Sequence, residues 1–340
     1  MTSSFIKNKK ITIIGGAGFI GHNLCLELKK KQAKVTLIDD LQVNNLYSLK
    51  KKNNSYPFPK LTKLILEERF KLLKKNKIKI FKIDAKNSKT LYETLYKIKP
   101  NIIIHLAAVS HANKSNIDPD SAFNNSIITL KNSLTYAKNK VERFIFLSSS
   151  MVYGNFKKNI VNENDNCEPI GIYGGFKLAA EKIIKSYGQI FDLPYTIVRP
   201  SALYGERCIS RRVGQIFIEN ALNSVPIKIQ GDGNEKLDFT YIKDLTKGII
   251  SILKTKKSIK QIFNITYGKS RSINKMLSIL KLEFPNAKVK YIKRDKFMPV
   301  RGTLSNKKSK KLLGYRPQWN LEKGYLNYIR WYKKLYLQYK

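Results

Sequence analysis

Short apolar runs recur through the first two hundred residues: ITIIG (11–15), VTLID (35–39), IKIFKID (78–84), NIIIHLA (101–107), RFIFLSS (143–149) and YTIVRP (195–200). Their hydrophobic positions are continuous rather than alternating, as in strands covered on both faces. Helical patterns separate them, so the pattern predicts an α/β fold with a parallel, doubly wound sheet. The stretch from Asp40 to Ile78 is long for one crossover; within it NNSYPFP reads as a surface loop and LTKLILEERFKLLKK as an amphipathic helix. After Pro200 the rhythm becomes irregular. Helix patterns near 213–222 and 272–283, short strands near 226–229 and 261–265, and a Tyr/Trp-rich helix from about 321 predict a smaller α+β lobe. The expected division is a first domain over 1–200 and a lobe over 201–340, with 237–265 returning to the first domain.

Composition narrows the class. The chain has 340 residues, of which 42% are hydrophobic, enough for a sizeable core and too apolar for a disordered chain. No apolar run approaches the roughly 20 residues of a membrane helix, and MTSSFIKNKK lacks the apolar stretch of a signal peptide. Cys25, Cys167 and Cys208 share no close spacing, so neither disulfides nor a metal site is expected, in keeping with a reducing cytoplasm. The formal charge of +41 raises nucleic acid as a partner. The lysines, however, are strewn along the whole chain, with no basic arm and no zinc-finger or Arg/Gly repeat, so no nucleic-acid or membrane partner is expected. Such a field would still draw in a phosphate-bearing small molecule.

The strongest chemical signal is ITIIGGAGFIGHNLCLEL. Gly15, Gly18 and Gly21 follow a strand and open a helix, leaving bare backbone through which a diphosphate can reach the helix N-terminus. The next strand ends in Asp39, eighteen residues after Gly21, with Asp40 beside it and no adjacent Arg. A carboxylate there accepts from ribose hydroxyls and repels a 2′-phosphate, which favours NAD over NADP. Further on, IYGGFKLAAEKI (172–183) places Tyr173 and Lys177 four apart, on one helical face. The two glycines between them each cost up to about 1 kcal/mol in a helix interior, so something local must want them.

Together these segments resemble the extended short-chain dehydrogenase/reductase family, in its NAD-dependent nucleotide-sugar epimerase/dehydratase branch. The resemblance runs through nearly the whole chain: GGAGFIG, KIDAKN (82–87), HLAA (105–108), Asn125, SSSMVYG (148–154), YGGFK (173–177), RPSALYG (199–205) and GDGNEKLDFTYIKDL (231–245). It implies a Rossmann-type fold, NAD as cofactor, a nucleotide-sugar substrate and a homodimer formed through the helix after Tyr173 and the one after Pro119. On matching positions it assigns the cofactor to Gly15, Gly18, Phe19, Ile20, Gly21, Asp39, Asp40, Asp84, Ala85, Leu106, Ala107, Ala108 and Asn125, with Tyr173 and Lys177.

The resemblance also makes Tyr173 the catalytic base, Lys177 the cation that favours its phenolate, and Ser149 the hydroxyl that holds the sugar oxygen, with Ser148 and Ser150 as competing assignments. A phenol of reference pKa near 10 needs such help at neutral pH. Glycines between Tyr173 and Lys177 would let cofactor or substrate come close to the helix. Dehydratases of this type carry an Asp-Glu pair after the catalytic hydroxyl, where this chain has Ser150 and Met151. Epimerisation, at C4, is therefore expected ahead of dehydration, decarboxylation or reduction, and ahead of a non-catalytic NAD-binding regulator. Substrate contacts are expected from Ser110, Ser150, Arg207, Arg212 and Arg301. Leu237 stands where relatives carry a diphosphate-binding Arg, for which Lys236, Arg207, Arg211, Arg212 or Arg301 could substitute. His111 lies where relatives approach the sugar, while His22 and His105 read as helix-surface and strand-end residues.

Overall fold

A computed structural model describes residues 5–50, 56–109, 112–295 and 297–338. Its centre is a seven-stranded sheet. Strands β1 (Lys10–Ile14), β2 (Lys34–Ile38), β3 (Lys79–Phe81), β4 (Ile102–His105) and β5 (Arg143–Leu147) are joined by Tyr195–Arg199 and Gln261–Asn264. From one edge the order is Gln261–Asn264, Tyr195–Arg199, β5, β4, β1, β2, β3, all parallel. Ile11 lies opposite Val35 on one side and Ile102 on the other, so the strand order reverses at β1. In open α/β sheets the crevice beyond the strand ends at such a reversal is where ligands bind.

Both faces are covered, as the continuous apolar runs predict. On one side α1 (Phe19–Lys30) and the helix Ile242–Lys254 bury Leu24, Leu28, Leu245 and Ile249 against Ile13, Leu37 and Phe263. On the other, Leu91, Leu134 and Ile184 meet Ile103, Phe144 and Ile197. Within 237–265, Lys236–Leu237 pairs with Arg271–Ser272 and Thr240–Tyr241 with Leu203–Tyr204; the chain rejoins the main layers from Ile242 onward.

The second crossover carries α2 (Leu46–Lys50) and α3 (Pro59–Lys75). Leu61, Ile65, Arg69 and Leu73 recur every fourth residue and are all buried, so the apolar stripe of α3 contains an arginine. In the expected surface loop Tyr56 is buried, with its hydroxyl 3.0 Å from Ser48 Oγ; residues 53–55 lie outside the described part. The later chain builds an aromatic core in which Phe217, Ile227, Leu280, Tyr325, Tyr328 and Tyr332 pack together. No described helix is long and apolar enough to cross a membrane.

Candidate active site

The glycine loop links β1 to α1. Gly15 has φ +75°, and a Cβ there would stand 2.6 Å from the Ala107 amide nitrogen. At Gly21 a Cβ would meet the Gly16 carbonyl oxygen at 2.3 Å. Both positions require glycine because backbone passes against backbone. Gly18 is different: its nearest neighbour would be 3.5 Å away. It precedes α1, whose first turn has no capping side chain and no acid, leaving the amides and the positive end of the helix dipole open to an anion.

Across the loop, Asp39 Oδ2 accepts from the Ala17 amide at 2.9 Å and Oδ1 from the Leu41 amide at 2.8 Å. Burial pushes its carboxyl up to about 6, against the pull of those two amides. Gly15, Gly18, Phe19, Ile20, Gly21, Asp39 and Asp40 line a cavity of about 140 Å³, closed by Asp84, Ala85, Leu106, Ala107, Ala108 and Asn125. Asn125 sits in a π-turn (Asn124–Ile128), and its Nδ2 donates to the Ser121 carbonyl at 2.8 Å. Such turns aim side chains that a regular helix would turn elsewhere. A loop that only glycine can form, an uncapped helix end and a carboxylate opposite fit the diphosphate and ribose of a dinucleotide.

The second cavity, about 390 Å³, adjoins the first and is large enough for a sizeable ligand. Tyr173 and Lys177 reach it from the helix Ile172–Ile190, and Ser148, Ser149, Ser150 and Met151 from the end of β5. The structure separates the three serines. Ser148 Oγ donates to Glu181 Oε1 at 2.5 Å, Ser150 Oγ to Ser201 Oγ at 3.2 Å, and Ser149 Oγ, which accepts from the Met151 amide at 3.2 Å, faces the Tyr173 phenol. Burial pushes that phenol up, while the Arg212 cation and Ser149 pull it back. Lys177 Nζ donates to the Leu147 carbonyl at 2.7 Å and lies 5.9 Å from the Tyr173 ring centre. Burial brings its ammonium down to about 8, with the Glu181 charge opposing.

Gly174 answers the question posed by the paired glycines. A Cβ there would stand 2.8 Å from the Met151 carbonyl oxygen and 2.8 Å from Pro169 Cβ, so glycine lets this helix press against the serine turn. That purpose differs from the expected one of admitting a ligand. Gly175 has nothing within 4 Å.

Other predicted residues fall differently. Arg212 and Arg301 line the larger cavity; Arg301 is held down to about 10 by burial, and its Nε has no partner among the described residues. Arg207 is a correction. Its Nε donates to His22 Nε2 at 2.9 Å, and its two Nη atoms donate to Asn23 at 2.8 Å and Glu68 at 3.2 Å, so it braces α1 and α3 instead of a substrate. His22, expected on a helix surface, is fully buried by that contact. His105 does end β4, with Nδ1 3.0 Å from Ser133 Oγ. Lys236 is exposed, whereas Leu237 and Lys228 line the cavity. Ser110 and His111 lie outside the described residues.

Two groups escaped the sequence reading. Fully buried Arg69 lines the cofactor cavity and donates to the carbonyls of Ala17 at 3.0 Å and Arg207 at 2.7 Å. Its signal was an arginine on the apolar stripe of α3. Glu181, one turn beyond Lys177, grips Arg199 at 2.6 and 2.9 Å; the four-residue step from Lys177 could have marked it.

A Rossmann-type sheet with a glycine loop at its reversal point, and a Tyr-Lys-Ser group across the cleft, defines a dinucleotide-dependent protein of the extended short-chain dehydrogenase/reductase class. More narrowly, the chain belongs to the NAD dependent epimerase/dehydratase family, whose model matches residues 11–266. It is 33% identical to an uncharacterized UDP-glucose epimerase, YtcB, of Bacillus subtilis (strain 168), covering 96% of this chain and 99% of that one. It is 30% identical to the UDP-glucuronate 4-epimerase of Thermodesulfobacterium geofontis, covering 95% of each. Among solved structures, the UDP-glucuronic acid 4-epimerase of Bacillus cereus in complex with UDP-glucuronic acid and NAD superposes with a TM-score of 0.84 at 28% identity, over 96% of this chain and 100% of that chain.

Proposed function

We propose that this protein inverts a hydroxyl-bearing carbon, C4, of a nucleotide-diphosphate sugar through a transient keto-sugar. The observation that carries the reading is the Tyr173 phenol, facing Ser149 and beside Lys177, in a cavity that adjoins the glycine-loop cavity. NAD, held by the glycine loop and Asp39, would supply the hydride acceptor and donor for the sugar carbon. Tyr173 takes the hydroxyl proton as the carbonyl forms and gives it back on reduction. Ser149 holds the sugar oxygen, and Lys177, anchored on Leu147, keeps positive charge beside the phenolate.

Ser150 and Met151 support epimerisation over elimination. Neither can shuttle the proton that dehydration needs, and the one carboxylate that lines this cavity among the described residues, Glu235, is paired with Arg294 at 2.9 Å. Arg212, Arg301 and Lys228 line this cavity, which supports their taking the substrate diphosphate in place of the arginine that Leu237 replaces. The similarity to UDP-sugar epimerases makes UDP-sugars the first candidates. On this reading residues 1–200 with 237–265 serve the cofactor and the remaining lobe the substrate, in a cytoplasmic homodimer paired through the Tyr173 helix and the helix following Pro119.

The test is incubation of purified protein with UDP-, GDP-, CDP- and dTDP-sugars and identification of products. Inversion at one carbon with no net redox change is expected; loss of water or carbon dioxide rejects epimerisation. Tyr173→Phe should lower turnover by about 10²- to 10⁴-fold with NAD still bound. Full turnover in that variant would remove Tyr173 as the base.

A further inference from the structure

The cofactor and substrate cavities meet, and the wall they share is informative. Among the described residues, Ile20, Leu106, Ala108, Leu203 and Arg212 line both, and Arg212 is the one that carries charge. Ile20 is the second residue of α1, so the shared wall includes the open helix end suited to a diphosphate. Arg212 approaches from the other side, as the extended residue that precedes the helix Val213–Leu222. Its neighbours Ile209 and Ser210 face the cofactor cavity, and Arg211 faces the substrate cavity. Arg211 Nη1 donates to Glu219 at 2.7 Å.

We propose that Arg212 is a cation shared by two anionic ligands, serving the diphosphate of the dinucleotide on one side and that of the nucleotide sugar on the other. The inference rests on the nucleotide-sugar reading above and adds to it a residue through which the two binding events are coupled. Its physical basis is charge. The Arg301 cation, disfavoured chiefly by burial, is disfavoured further by Arg212 and Arg294 and favoured by Glu235. An anion entering beside Arg212 and Arg301 relieves that repulsion. Two diphosphates in adjoining cavities also repel each other, and a guanidinium that lines both cavities offsets this. The same charge favours the Tyr173 phenolate, as expected of a group at the junction where chemistry takes place.

The experiment uses protein stripped of cofactor and measures NADH binding by fluorescence and UDP binding by calorimetry, with circular dichroism to check the fold. Arg212→Gln should weaken both ligands by about tenfold each, the effect of losing a charge-assisted hydrogen bond. Arg212→Lys, which keeps the charge, should restore both to within about threefold. A Gln variant that loses affinity for neither ligand, or for one alone, overturns the shared role. So does a Lys variant as weak as the Gln variant, because packing would then account for the loss. No turnover is required, so the result stands apart from the Tyr173 test. Wild-type protein that binds NADH but none of UDP, GDP, CDP or dTDP would overturn both readings.

Discussion

Gly174 and Gly175 are adjacent, chemically identical and surrounded differently, which makes them a sharp test of how the site is assembled. Alanine at 174 puts a methyl group 2.8 Å from the Met151 carbonyl oxygen, a distance that real Cβ atoms essentially never show, and 2.8 Å from Pro169 Cβ. Both obstacles are poorly compliant, one being backbone and the other a ring carbon. The helix must retreat by a few tenths of an ångström, and overpacking of this kind costs about 1–3 kcal/mol. The retreat moves Tyr173 away from Ser149, and a misplacement of 1 Å can cost about 10²-fold, so a loss of about tenfold in kcat is expected. Alanine at 175 meets nothing within 4 Å and should stabilise the helix by up to about 1 kcal/mol through better propensity and a less flexible unfolded chain. Urea denaturation and kcat measured side by side give the answer. Gly174→Ala as stable and active as wild type, or Gly175→Ala the more damaged of the two, would refute the close-approach explanation.

The two remaining predictions concern pH. Asp39 holds its place as a carboxylate, yet burial raises it to about 6; as pH falls through that value it gains a proton and loses accepting capacity, so NADH affinity should drop below about pH 6. Asp39→Asn should bind weakly and without that pH dependence, as fluorescence titration would reveal. Lys177 is brought down to about 8 by burial, with Glu181 opposing, so kcat should fall as pH rises past about 8 and the ammonium is lost. Glu181→Gln removes the opposing charge and should move that alkaline limb to lower pH. It should also cost about 3–5 kcal/mol of stability, because Arg199, 3% exposed, loses its buried partner. An unmoved limb would deny that Glu181 acts on Lys177.

What the sequence disclosed followed from local rules. Strands buried on both faces show as unbroken apolar runs, and a loop in which backbone must touch backbone shows as glycine, so the sheet and the Gly15–Gly21 turn were legible. Asp39 was legible because strand and loop lengths fix its place relative to that turn. Choices made by tertiary contact were not. Three consecutive serines differ only in what faces them: Glu181, the Tyr173 phenol and Ser201. Arg207 looked like a substrate residue until His22, Asn23 and Glu68, all distant in sequence, were seen to occupy its guanidinium. Arg69 was hidden for the opposite reason, since an arginine within a charged helix reads as solvated until its spacing with Ile65 and Leu73 is counted.

One edge strand of the sheet, Gln261–Asn264, enters only after the chain has left, begun the aromatic core and come back. On the ribosome, Tyr195–Arg199 therefore emerges with one row of amides and carbonyls uncovered, and it stays so while residues 200–260 are synthesised. The nascent chain passes through a period in which any passing strand can dock on that edge, and a protein divided at Pro200 would yield a first half with that edge permanently bare.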